Sequence, residues 1–199
     1  MKKSIFLNLV TGGLLLMTTT WVSCNSGETS NTAATDSTAA TTEPMAMAKA
    51  MATLTGTMPD TTLNGTVEFD AEAGGQVKMK LELMVPSKAN KSVAVHIHQM
   101  GDCGDMGKMT GGHWNPTNQS HGKWGSASFH SGDIGNISLD NTGKGSLELT
   151  SNLWSIGGDS TTNILDRAII VHGGVDDYTS QPAGNSGARI GCGVIKKSN

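Results

Sequence analysis

The chain is poor in aromatic residues, with three Phe, one Tyr and four Trp among 199 positions. It holds only two arginines, Arg167 and Arg189. Phosphate tracking needs basic stripes and base stacking needs grouped aromatics, so the sequence offers no nucleic-acid surface. Long apolar runs are also scarce. The longest, Ile5 to Met17, is too short to span a bilayer. Cysteine is limited to Cys24, Cys103 and Cys192, and histidine is absent from the first 95 residues. The six histidines present are therefore a concentrated feature.

Lys2 and Lys3 before the apolar run give the pattern of an export signal, predicted over residues 1–23. Val22-Ser23-Cys24 resembles the lipobox of bacterial lipoproteins, with Trp21 standing where that box usually has Leu. The resemblance implies lipidation of Cys24 as the first mature residue and a membrane attachment through that lipid. The expected location is extracytoplasmic, in a bacterial cell envelope. Loss of Lys2 and Lys3 would move the formal charge from −3 to −5. With Cys24 assigned to lipid, Cys103 and Cys192 remain, and an isolated pair in an exported protein is most simply a disulfide.

Residues 24–47, rich in Ser, Thr, Ala and Asn, cannot bury a core and are expected to form a flexible tether. The folded domain is predicted over 48–199. Short alternating runs separated by turn residues point to an all-β domain of about eight strands. In Val77 to Val85 the apolar Val77, Met79, Leu81 and Leu83 alternate with Lys78, Lys80 and Glu82. Asp140-Asn141-Thr142-Gly143-Lys144 is predicted as a hairpin turn between strands at 134–139 and 145–150. Two long connections, 99–131 and 173–188, carry the expected site. The fold class is an eight-stranded antiparallel Greek-key sandwich or flattened barrel with two long functional loops.

His96 and His98 lie at i and i+2, so on a strand both imidazoles share one face while Val93, Val95 and Ile97 take the other. His113 and His121 stand in Gly-rich turns, and His130 is followed three residues later by Asp133. His113, His121, His130 and Asp133 make a three-nitrogen, one-oxygen set suited to zinc. His96, His98 and His172 form an all-imidazole set suited to copper.

From about residue 48 to Lys197 the chain resembles the copper-zinc superoxide dismutase family. His96-Ile97-His98 matches its H-x-H strand, and Gly111 to Pro116 matches its G-x-H-x-N-P turn. His130 to Asn136 matches H-x-x-D-x-G-N, and Gly184 to Ile195 matches the closing G-N-x-G-x-R-x-x-C-G-V-I. The resemblance implies copper at His96, His98, His113 and His172, and zinc at His113, His121, His130 and Asp133. His113 would bridge the two ions and take part in proton transfer. Asp176, with Asp177 as its near competitor, would tie a copper ligand to a zinc ligand. Arg189 would guide the superoxide anion. The implied activity is superoxide dismutation, the alternative being an extracytoplasmic lipoprotein that buffers copper and zinc without turnover. The segment from His172 to Arg189 is shorter than in animal members and leaves a homodimer open. Met45, Met47, Met51, Met58, Met100, Met106 and Met109 read as adaptable apolar side chains, with Cu(I) loading as the rival reading.

Overall fold

A computed structural model describes residues 47–199; the signal segment, Cys24 and the tether up to residue 46 lie outside the described residues. Strands β1 (Lys49–Gly56), β2 (Asn64–Ala71) and β3 (Val77–Met84) form a meander. They are followed by β4 (Ser92–His98), β5 (Gly135–Ser138) and β6 (Lys144–Ser151). The last are β7 (Ala168–His172), β8 (Arg189–Val194) and a short β9 (Lys196–Ser198). Strand order is β5-β4-β7-β8-β1-β2-β3-β6, every ladder is antiparallel, and β9 continues β8 along β1 in the same register. Among the described residues no helix is long and apolar enough to cross a membrane.

The alternation in β3 decides its faces. Val77, Met79, Leu81 and Leu83 are buried, while Lys80 and Glu82 are exposed. Each such aliphatic side chain contributes about 1.5–3 kcal/mol relative to its exposed state. Phe69 of β2 meets Trp154 edge to face at 6.0 Å inside the barrel.

The turn at Asp140–Lys144 forms, with Asp140 Oδ1 accepting from Thr142 N, Thr142 Oγ1 and Lys144 N. The strands it joins do not ladder with each other, contrary to the expected hairpin. Val85 N–H donates to Gly143 O and Leu139 N–H to Lys91 O, which draws the two limbs toward β3 and β4 respectively. β5 and β6 are thus the two ends of the strand order. They still meet closely: a Cβ on Gly145 would lie 2.8 Å from Ser138 O. The result is a nearly closed barrel.

A third long connection, residues 152–167, accompanies the two expected ones. It inserts Trp154 and Ile164 into the core, and Trp154 Nε1 donates to Ser131 O at 2.8 Å. On β4, Val93, Val95 and Ile97 enter the core, and His96 and His98 face the other way yet are equally buried. The connections 99–134 and 173–188 cover that second face.

Candidate metal centre

β4 supplies His96 and His98, which lie opposite Ile170 and Ala168 of β7. His172 ends β7 at a register shift, and His113 is brought beside His98 by an isolated β-bridge. Ligand-type atoms of His96, His98, His113 and His172 lie within 4.8 Å of one another, as do those of His113, His121, His130 and Asp133. His113 belongs to both groups. Its ring centroid is 3.9 Å from that of His96 and 5.3 Å from that of His121.

The hydrogen bonds of these rings separate the nitrogens that have partners from those that do not. His96 Nε2–H donates to Asp176 Oδ2 and His121 Nε2–H to Asp176 Oδ1, each at 2.9 Å. His98 Nδ1–H donates to Gly111 O at 2.9 Å and His172 Nδ1–H to Gly187 O at 3.2 Å. His113 Nδ1 lies 2.8 Å from Asp133 Oδ1. The nitrogens left over are His96 Nδ1, His98 Nε2, His113 Nε2, His121 Nδ1, His130 Nδ1 and His172 Nε2, all buried without a hydrogen-bond partner. His121 Nδ1 and His130 Nδ1 approach Asp133 carboxylate oxygens at 3.0 and 3.2 Å, but as convergent ligands rather than as aligned hydrogen bonds. Six orphaned buried nitrogens are a cost that two metal ions would remove. The donor set, all imidazole on one side and three imidazoles with a carboxylate on the other, fits copper and zinc.

Burial favours the neutral, ligating form of His96, His98, His113 and His172, whereas at His121 burial is outweighed by the Asp176 and Asp133 carboxylates, which raise it. Burial pushes His98 down to about 2, with His113 adding to the effect, His172 down to about 3, and His113 down to about 4 against the pull of Asp133. His96 is lowered for the same reason despite Asp176. Burial opposes ionisation of Asp133 too, yet hydrogen bonds from His113, His130 and Gly122 hold it far below the carboxylate range.

Asp176, not Asp177, stands between the two groups. Asp177 instead accepts from Thr179 N, Ser180 N and Ser180 Oγ inside its own loop. Three further residues support Asp176 and His121: Asn136 and Gly184 stand in motifs matched in the sequence, whereas Gln181 carries no such signal. Asn136 clamps Asp176, donating to its carbonyl and accepting from its N–H at 2.8 Å each. Gln181 does the same to the backbone of His121 at 2.9 Å. Gly184 fits where no side chain can.

Arg189 opens β8 beside the Cys103–Cys192 disulfide, whose Cα atoms are 5.9 Å apart. Its Nη1 donates to Gly107 O at 2.6 Å and Thr110 Oγ1 at 2.9 Å, and its Nη2 to Gly111 O at 2.7 Å. Nε–H and the second Nη2 hydrogen have no acceptor among the described residues. With His172, Gln181 and Ser186, Arg189 lines an open cavity of about 360 Å³. Met58 and Met106 line a neighbouring one, and Met100, Met106 and Met109 are exposed.

An antiparallel barrel with two ligand-type groups joined through one histidine defines the class as a binuclear β-barrel metalloprotein. The chain belongs to the copper/zinc superoxide dismutase family, whose model matches residues 63–195 and so contains both groups and Arg189. It is similar to superoxide dismutase [Cu-Zn] 1 of Aquifex aeolicus, 34% identical over 132 residues, 64% of this chain and 76% of that protein. It is 35% identical over 156 residues to superoxide dismutase [Cu-Zn] of Schizosaccharomyces pombe, 75% of this chain and 97% of that one. A crystal structure of the clock protein EA4 superposes with a TM-score of 0.67 at 28% identity, covering 76% of this chain and 95% of that one.

Proposed function

We propose that this protein dismutes superoxide, two superoxide anions and two protons giving dioxygen and hydrogen peroxide. The observation that carries this reading is the set of six orphaned buried nitrogens, divided into two groups that share His113. Copper is assigned to His96, His98, His113 and His172, and zinc to His113, His121, His130 and Asp133. Bound copper supplies the one-electron couple that takes an electron from one superoxide and returns it to another; zinc has no redox role. His113 Nε2 is the site where a proton is held in one half-cycle and given to the product in the other. Asp133 and Asp176 orient the rings around that exchange. Arg189, which lines the open cavity with His172 and has Nε–H and one Nη2 hydrogen unengaged among the described residues, attracts the anion and hydrogen-bonds it. Storage of metal without turnover has no use for such a guanidinium.

The test is dismutation by the purified protein loaded with copper and zinc, beside His98→Ala and Arg189→Ala. Turnover is expected to vanish in the first and to fall by about tenfold or more in the second. Stoichiometric metal uptake with no turnover would replace the enzyme with a buffering protein.

We also infer an export signal at 1–23, a lipid on Cys24 and a tether to residue 47 that holds the 48–199 domain off a bacterial envelope membrane. The support is the order Lys2-Lys3, apolar run, small residue, cysteine. Cys24→Ser is expected to release the protein into the soluble fraction; unchanged membrane fractionation would refute the anchor. Sedimentation of the domain decides between a monomer and a homodimer.

A further inference from the structure

Thr110 closes a short 3₁₀ turn (Lys108–Thr110) between Gly107 and Gly111, both at positive φ, and its side chain is wholly buried. Its hydroxyl is fully used. Oγ1–H donates to Gly107 O at 2.8 Å, and Oγ1 accepts from Arg189 Nη1 at 2.9 Å. The remaining lone pair lies 3.1 Å from His98 Nδ1, whose hydrogen is shared with Gly111 O. Gly111 O in turn accepts from Arg189 Nη2. Two acceptors, one hydroxyl and one carbonyl, each serve the same two donors. The guanidinium and the His98 ring are therefore fixed against each other through a pair of bridges, and Thr110 is the only side chain in that clamp.

We propose that Thr110 is a positioning residue that sets the place of the Arg189 guanidinium relative to His98, and hence the strength with which the site holds a small anion. The inference rests on the reading of Arg189 as the anion guide. A hydroxyl that merely stabilised the turn would need only its bond to Gly107 O. Valine has the shape of threonine but cannot accept from Nη1, so Thr110→Val loosens the guanidinium while Gly107 O, Gly111 O and, at 3.3 Å, Lys108 O still hold part of it.

The probe is azide, a small monoanion, titrated into the copper- and zinc-loaded protein and followed by the visible spectrum of the copper. Its dissociation constant is expected to rise about three- to tenfold in Thr110→Val and Thr110→Ala, less than for outright loss of a charged hydrogen bond. Thr110→Ser, which keeps the hydroxyl, should return to within about twofold of wild type. KM for superoxide should follow azide affinity, with kcat moving less. Wild-type azide affinity in Thr110→Val, or Thr110→Ser as weak as Thr110→Ala, overturns the proposal; the Ser and Ala pair decides even where Val does not fold. Arg189→Lys separates the two levels. Azide binding indifferent to Arg189→Lys removes the reading of Arg189 itself, whereas dependence on Arg189 without dependence on the Thr110 hydroxyl removes only this inference.

Discussion

Gly184 takes φ +63° between the Asp176 carboxylate and the His121 ring, and a Cβ built there would lie 1.9 Å from Asp176 Oδ1 and 2.6 Å from His121 Nε2. A methyl group must displace one of them, in a backbone conformation that alanine also resists. Gly184→Ala is expected to weaken zinc binding about 10- to 100-fold, as is Asp176→Asn, which cannot accept from both rings. Competition with a chromogenic chelator measures this, and undiminished zinc affinity in both variants would show that Asp176 does not hold His121 in place. At this scale the histidines were legible in the sequence because imidazoles spaced by Gly-rich turns have few other uses. Gln181 and Thr110 were not, since each is an ordinary polar residue until folding sets it against a partner; Asn136 stands inside a matched motif, but what it holds was not readable. Gln181 and His121 are 60 positions apart along the chain.

Strands were readable wherever one face is dry and the other wet, as in β3, where alternation alone distinguishes Leu81 from Lys80. Pairing was not, for the turn at Asp140–Lys144 carries the same residues whether its limbs ladder together or part toward β3 and β4. The 152–167 connection was hidden for a related reason: Trp154 is one aromatic in a polar stretch, and its burial depends on strands distant in sequence. The loop of residues 99–134 has three long-range anchors near its start: the Arg167 hydrogen bond to Gln99 O, the Cys103–Cys192 bond and the Arg189 hydrogen bonds. Replacing both cysteines with serine opens a link across 89 positions. The expected loss of stability is at most about 4–5 kcal/mol by loop-closure entropy, read as a lower urea midpoint. An unchanged midpoint would mean that Arg167, Arg189 and the sheet hold this loop without the covalent bond.

For the molecule as a whole, the buried rings predict how the metal-free protein responds to acid. His98, His113 and His172 titrate near 2 to 4 in the fold, whereas unfolded histidine does so near 6.5. Between those values the unfolded chain binds protons that these three rings refuse in the native state, so they lower stability as pH drops through about 6.5 toward about 3, and the raised His121 opposes them as a single group. Urea unfolding of the metal-free protein at pH 7.5 and pH 5 measures the slope; equal stability at both would contradict neutral burial of these rings. Bound ions deepen the native state by mass action and shift the acid transition downward. His113 adds a consequence that neither group has alone. Because one ring serves both, occupation of either group orients a ligand of the other, and linkage makes the effect reciprocal: whatever factor zinc contributes to copper affinity, copper returns to zinc. Where that factor exceeds one, partial loading is disfavoured in proportion to it, and a population short of metal divides toward empty and doubly filled molecules; where mutual repulsion of the two cations makes it smaller than one, singly filled molecules accumulate.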